Sequence, residues 1–169
     1  MKKLIILSIV LSSIITSCKT DNNKTKVKVA EDTELTVLEK IANANGYENW
    51  KNVSSIKFTF NVDRDSSHFE RTWLWKTRSN DVTMMTRQDT ITYNRKAVDS
   101  IMAGTDGSFV NDKFWFLAPY QLVWDQKNFT YELTENIEAP ISKTKMHKLT
   151  TVYANNGGYT PGDAYDYYF

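Results

Sequence analysis

A strict alternation of apolar and polar residues over positions 56–62 constrains the fold more than any other feature of the chain. The apolar side chains occupy every second position, at Ile56, Phe58, Phe60 and Val62. A period of two places them on one face of a β-strand, so that this face is buried and the other meets water. Turn residues follow at once at 63–67, which favours an antiparallel return of the chain.

Further segments with strand character follow at short intervals. Within 68–76, Arg71, Trp73 and Trp75 share one face, while Leu74 lies on the other, so both faces are expected to be covered. The remaining predicted strands are 81–88, 89–93, 120–124, 129–135, 145–153 and 164–169. The short turns between them favour an antiparallel meander, and we expect one curved sheet.

Two helices are expected among these strands. An amphipathic pattern predicts the first over 33–45, with Thr33 as its N-cap and Gly46 at its C-terminal end. Thr36 stands three residues after Thr33, where a capping box needs Glu or Gln, so no capping box is expected there.

The second helix is predicted over 107–117, following a break at 105–108. Val110, Phe114 and Leu117 have helical spacing, and Pro119 is expected to end the helix. Together the elements predict an α+β domain in which the N-terminal helix and this second helix pack across the sheet.

The first eighteen residues have the features of a secretory signal. Two lysines precede an apolar stretch at 4–11, and small residues come before Cys18. The stretch is too short for a comfortable membrane span. Residues 15–18 resemble a bacterial lipobox, whose cysteine is lipidated and becomes the new N-terminus. A plain signal peptide with a coincidental cysteine is the alternative.

This pattern divides the chain into three parts. We expect 1–17 to be a signal peptide, 18–32 to hold the lipidated cysteine and a flexible, lysine-rich tether, and 33–169 to form the domain. The anchor makes a membrane the first expected partner.

Charge and cysteine content exclude several classes of function. The chain has 21 Lys and Arg against 20 Asp and Glu, which disfavours a nucleic-acid binder. Cys18 is its only cysteine, so no internal disulfide and no cysteine-based metal site is expected. No zinc-ligand spacing, nucleophile elbow or phosphate-binding loop occurs, so neither a cofactor nor an enzyme is expected. A hydrolase would need Asp63, His68 and Glu70 to cluster in a cleft.

Aromatic side chains suggest a wall for an apolar ligand. The candidate ligand-binding residues are Phe58, Phe60, Arg71, Trp73, Trp75 and Trp115. An acyl chain needs no specific polar anchor, because each buried CH₂ contributes about 0.8 kcal/mol. Arg71 would either cap the sheet edge or meet a lipid phosphate or carboxylate. The alternative for the aromatic residues is an ordinary hydrophobic core.

Several short motifs carry a resemblance to a known group of proteins. They lie at 45–50 leading into 56–60, at 73–75, at 111–119 and at 157–165. Together they resemble a group of Bacteroidetes lipoproteins related in fold to the lipoprotein carriers LolA and LolB. The resemblance covers about 33–169. It implies an incompletely closed antiparallel barrel, helices inside or across its mouth, and a cavity for acyl chains.

The chain departs from this group at its C-terminal end. The compared members are longer and carry further strands, so C-terminal strands are expected to be missing here. The last strand, bearing Tyr165, Tyr167 and Phe169, would then be an open edge that could pair with a protein partner.

The expected function is that of a cell-envelope lipoprotein that binds lipid or lipoprotein acyl chains without catalysis. Lys19 follows the cysteine, so the acidic inner-membrane retention signal is absent there, which favours the outer membrane in either leaflet. The alternatives are a structural or interaction module of the envelope without a small ligand, and a hydrolase with an unrecognised site.

Overall fold

A computed structural model describes residues 34–169 of the chain. The predicted signal peptide, Cys18 and the tether lie outside the described residues. Residues 34–169 form one compact unit of mixed α and β structure.

Seven strands and three α-helices make up this unit. The strands are β1 (Ser55–Arg64), β2 (Ser67–Lys76), β3 (Asp81–Met85), β4 (Thr90–Asn94), β5 (Phe129–Glu138), β6 (Lys145–Tyr153) and β7 (Ala164–Tyr168). The helices are α1 (Val37–Ala44), α2 (Ala103–Phe116) and α3 (Ala118–Trp124), with short 3₁₀ helices at Tyr47–Asn52 and Arg95–Ala97.

The first sheet is an antiparallel meander in the order β1-β2-β3-β4. Its first hairpin pairs ten residues of β1 with ten of β2, with Phe58 opposite Trp73 and Val62 opposite Phe69. β3 pairs only with the second half of β2, from Thr72 onward. The tip of the β1–β2 hairpin therefore projects beyond the four-stranded part of the sheet.

The second sheet is a separate antiparallel meander in the order β5-β6-β7. β6 forms its centre, with Leu149 opposite both Leu133 and Tyr167. The register between β5 and β6 shifts between Thr134 and Ile137, and Asn136 there has a φ of 55°. β7 lies at an edge of this sheet within the described residues.

Helix α1 begins later than predicted. Its N-cap is Thr36, and Thr33 lies outside the described residues. The Thr36 side chain accepts from the Glu39 backbone N–H (3.2 Å), while the Glu39 carboxylate accepts from the Thr36 backbone N–H (2.8 Å). This is a capping box, so the prediction that none exists was wrong. That prediction concerned Thr33 and Thr36, whereas the capping box joins Thr36 and Glu39. Gly46 has a φ of 86° just past the helix, as predicted.

Helix α2 starts at Ala103 and runs through the predicted break at 105–108. The Asp99 carboxylate accepts from the backbone N–H groups of Ile101 (3.0 Å) and Met102 (2.8 Å) immediately before it. These hydrogen bonds order the turn before α2, whose N-cap Met102 makes no side-chain capping hydrogen bond. The predicted helix itself is confirmed.

The segment 120–124, predicted as a strand, is part of helix α3. Pro119 lies in the first turn of α3, where a backbone N–H has no partner within the helix and its loss costs nothing. Proline therefore separates two consecutive helices. The buried face of α3 carries Gln121 and Leu122.

Two hydrophobic clusters form the core, and α2 contributes to both. The cluster on the first sheet contains Trp73, Trp75, Val82, Tyr93, Phe109 and Leu117. The cluster on the second sheet contains Leu38, Ile41, Phe114, Leu122, Phe129, Leu149 and Tyr153. Leu74 is partly buried, so the second face of β2 is covered only in part.

The predicted α+β class with antiparallel strands is confirmed. The strands form two sheets instead of one curved sheet, and these sheets do not close into a barrel. Within residues 34–169, no helix combines the length and the apolar composition that a membrane crossing requires.

Candidate functional site

The six predicted ligand-binding residues lie in three different environments. Trp73 is fully buried and Trp75 is 7% exposed, and both pack edge-on against Phe109 of α2. Their rings fill the core and line no cavity described below. For these two residues the structure matches the ordinary-core alternative.

Phe58 packs against the edge of that core, whereas Trp115 lies outside it. Phe58 stacks on Phe116 of α2, with ring centroids 4.7 Å apart and an interplanar angle of 12°. Trp115 is 57% exposed and contacts Tyr165 of β7, on the second sheet. The structure therefore does not bring Trp115 together with Trp73 and Trp75.

Phe60 and Arg71 line an apolar groove of about 480 Å³ on the projecting hairpin. The residues of this groove are Phe60, Val62, Arg64, Ser67, Phe69, Arg71 and Asn111. Phe60 lies opposite Arg71 and Val62 opposite Phe69 across the two strands, so period-two alternation places them on one face. Phe69 is 46% exposed. The groove thus has an aromatic floor and an arginine at each end.

The inner arginine is held by a buried carboxylate on α2. Arg71 donates through Nε (2.5 Å) and Nη2 (2.7 Å) to Asp112, which is fully buried. The Trp73 indole N–H also donates to Asp112 (2.7 Å). The guanidinium lies 5.2 Å from the centroid of the Phe69 ring. A bidentate pair of this kind fixes Arg71 against the groove floor.

A second buried carboxylate, Asp106, joins three parts of the chain. It is 2% exposed and accepts from Arg95 Nε (2.7 Å), from the Tyr93 hydroxyl (3.0 Å) and from the Tyr159 hydroxyl (2.7 Å). These donors outweigh the effect of burial and lower the pKa of Asp106. Tyr159 comes from the loop between β6 and β7, so this network ties that loop to the first sheet.

A polar pocket of about 440 Å³ lies beside this network. It is lined by α2, α3, the loop between α3 and β5, and the end of β6 with the loop that follows it. Its polar side chains include Arg95, Lys113, Gln121, Asp125, Lys127, Asn128, Tyr153 and Tyr159. The amide nitrogen Nε2 of Gln121 is buried without a hydrogen-bond partner, and the residue is 1% exposed. Buried amide groups are normally paired, so this one stands out.

Lys113 is a partly buried cation of the polar pocket, and its Nζ lies 5.1 Å from the centroid of the Trp124 ring. Lys127 also lines the pocket but is exposed, and no ion pair within residues 34–169 includes either lysine. Burial lowers the pKa of Lys113 to about 8, and the charge of Arg95 acts in the same direction. Burial also raises the pKa of Asp125, against the opposing effect of Lys113.

The titratable residues considered for a hydrolase do come together. His68 Nδ1 lies 2.7 Å from Asp63 Oδ1, and His68 Nε2 lies 3.6 Å from Glu70 Oε2. The hydrogen bond to Asp63 raises the pKa of His68. All three side chains are more than 40% exposed, and none lines the apolar groove or the polar pocket. The cluster lacks the cleft that the hypothesis required.

Sequence reasoning missed the polar residues of α2. No sequence pattern assigned Asp112 or Lys113 to a site, yet Asp112 is fully buried and Lys113 lines the polar pocket. A usable signal was present, since Asp106, Phe109 and Asp112 have the three-residue spacing of one helix face.

Searches of protein-family models, curated proteins and solved structures found no match to this chain.

Proposed function

We propose that this protein is a lipid-anchored lipoprotein of the cell envelope whose domain binds an acyl chain in the apolar groove without catalysis. In this proposal Cys18 is the anchor and the outer membrane holds it, in keeping with the resemblance of the sequence motifs to lipoproteins related to LolA and LolB. The proposal rests on the leader sequence and on the groove.

The observation that carries the proposal is an uncovered apolar face at the tip of the β1–β2 hairpin. Phe60, Val62 and Phe69 form its floor, and neither β3 nor β4 pairs with this part of the hairpin. A solvated hairpin tip of a soluble domain normally carries polar side chains on both faces. An uncovered apolar face on one side is the kind of surface that an acyl chain can cover.

The charges at the groove favour an acyl chain that ends in an anionic group. Asp112 neutralises Arg71, whereas Arg64 forms no ion pair within residues 34–169 and lies at the outer end of the groove. A carboxylate or phosphate head group would therefore meet Arg64, with the chain extending inward toward Arg71.

Displacement of a fluorescent fatty acid by oleate tests this proposal on the full chain carrying Cys18→Ala. We expect saturable binding that Val62→Asp abolishes, because a carboxylate in the groove floor would have to be desolvated next to the acyl chain. Val152→Asp is the matched control, since Val152 is an exposed strand valine outside the groove. Absence of saturable binding to the unmutated groove, or equal binding by Val62→Asp, would refute the proposal.

A structural or interaction module is the second candidate, and the edge position of β7 favours it. β7 pairs with β6 on one side and with no other described strand. Unpaired backbone groups at such an edge can form hydrogen bonds with a strand of another chain. Light scattering over a range of concentrations tests this candidate: association that increases with concentration supports it, and a monomer throughout argues against self-pairing.

A further inference from the structure

We infer that the polar pocket is a second binding site, separate from the apolar groove, for a small hydroxylated anion such as a sugar acid or a sugar phosphate. Lys113 and Gln121 would hold its oxyanion, and Asp125 and Asn128 would bind its hydroxyl groups. This inference does not depend on the proposed acyl-chain function.

The first observation behind it is an unused donor. Gln121 is buried on α3, lines the polar pocket, and has no partner for its Nε2. Leaving a buried amide donor unpaired costs free energy, and an apolar residue of similar volume would avoid that cost. A ligand oxygen at this position would satisfy the donor.

The second observation is a cation with no paired anion. Lys113 lines the same pocket from α2, and no carboxylate within residues 34–169 approaches its Nζ to ion-pair distance. Asp125 lines the same pocket and attracts Lys113, but it lies beyond ion-pair distance, and Asp106 is already bonded to Arg95, Tyr93 and Tyr159. Two donors without acceptors in one pocket indicate that the missing component is an acceptor that carries negative charge.

The size and the remaining lining define the class of ligand. A volume of about 440 Å³ lies within the range of small-molecule sites and exceeds what a bare inorganic ion would fill. Asp125 and Asn128 add acceptors and an amide donor on the same wall, which suit hydroxyl groups. A hydroxylated anion uses both kinds of residue.

Calorimetric titration of the full chain carrying Cys18→Ala tests the inference at constant ionic strength. The probes are glucuronate, glucose 6-phosphate, neutral glucose and inorganic phosphate. We expect saturable binding of glucuronate or of glucose 6-phosphate, and which of the two binds identifies the oxyanion. The inference would be overturned if neither sugar anion bound. It would also be overturned if neutral glucose or inorganic phosphate bound as tightly as the sugar anion that binds.

Two variants separate a binding role from a structural one. Gln121→Met and Lys113→Met should each weaken anion binding about tenfold or more, because each removes one hydrogen bond to a charged group. Gln121→Met should also unfold at a higher denaturant concentration than the parent, since it removes an unpaired donor. Lys96→Ala, outside the pocket, should leave the affinity unchanged.

The same variants distinguish the two proposals. Val62→Asp should retain anion binding while losing fatty-acid binding, and Gln121→Met should show the reverse pattern. If both Gln121→Met and Lys113→Met kept the parent's anion affinity, the anion would not bind in this pocket. That result would overturn the second site, whatever the apolar groove binds.

Discussion

At the scale of single residues, the two buried carboxylates of α2 connect that helix to the first sheet. Asp112 receives three hydrogen bonds from Arg71 and Trp73, and Asp106 receives its bonds from Arg95, Tyr93 and Tyr159. A charge that is buried with its partners costs little, whereas a buried charge that has lost its partner costs a great deal. The two aspartates are therefore sensitive points of the fold.

Replacing Asp112 with asparagine tests this sensitivity. Asp112→Asn keeps the side-chain volume but leaves the Arg71 guanidinium without its counter-charge, so we expect a loss of about 3 kcal/mol in the free energy of unfolding. Urea denaturation measures it. Glu34→Gln is the control, because the Lys40–Glu34 pair is solvent-exposed and its loss should not be measurable. Equal stability of Asp112→Asn and the parent would show that the buried pair is not needed.

Lys113 makes a second prediction at this scale, through the pH dependence of stability. Its pKa is about 8 in the folded chain and 10.5 ordinarily. Below pH 8 the amine is protonated in both the folded and the unfolded chain. Between pH 8 and 10.5 the unfolded chain binds more protons, so the contribution of Lys113 to stability rises with pH.

Tyr93, Tyr153 and Tyr167 also affect stability at high pH, because burial raises their pKa values. The comparison with Lys113→Met separates the contribution of Lys113 from theirs, since both proteins contain these tyrosines. The unfolding free energy of the parent relative to Lys113→Met should rise from pH 8 to pH 10, at up to about 1.4 kcal/mol per pH unit. Denaturant titrations at several pH values measure the difference. A difference that stays constant over this range would mean that burial does not perturb the amine.

At the scale of elements, the capping box of α1 fixes where that helix begins. Thr36→Ala removes the acceptor for the Glu39 backbone N–H and should cost about 1 kcal/mol of unfolding free energy. Thr36→Ser keeps the hydroxyl and should stay close to the parent. Thermal unfolding of the three proteins gives the order, and a Thr36→Ala protein as stable as Thr36→Ser would contradict it.

The helices and strands also show how much of the secondary structure local sequence patterns can predict. β1, β2 and β6 follow their predicted ranges closely, because alternation over many residues specifies a strand with one buried face. α3 was mistaken for a strand, because five residues with Tyr, Val and Trp suit either structure and only packing decides between them. α2 starts four residues before its predicted range, and the Asp99 side chain that orders the preceding turn lies outside the helical pattern.

The candidate site was harder to predict than the elements. Strand alternation does place Phe60 and Arg71 on one face, and both line the apolar groove. The neighbours of Trp73, Trp75 and Trp115 depend on which helix covers each strand, and contacts across more than thirty residues decide this. The polar pocket was not predicted at all, because its lining comes from α2, α3, the loop before β5 and the loop after β6, which share no common motif.

At the scale of the whole molecule, the proposed anchor determines where the domain is found in the cell. Cys18→Ala removes the thiol that lipidation requires, so the domain should move from the membrane fraction to the soluble periplasmic fraction. Fractionation followed by immunoblotting measures this. Cys18→Ser is a second variant with the same expected outcome, and retention of either protein in the membrane would refute the lipoprotein proposal.

The division of the strands into two meanders has a consequence for the speed and order of folding. Within residues 34–169 every strand pair joins neighbours in the chain, so these sheet contacts close short loops and the two sheets have a low contact order for a largely β domain. Each hairpin can form without waiting for a distant segment. We expect the docking of α2 to be the slow event, because this helix supplies Phe109 to one core cluster and Phe114 to the other. A helix that joins two sheets, and not the pairing of strands, would then limit the folding of this domain.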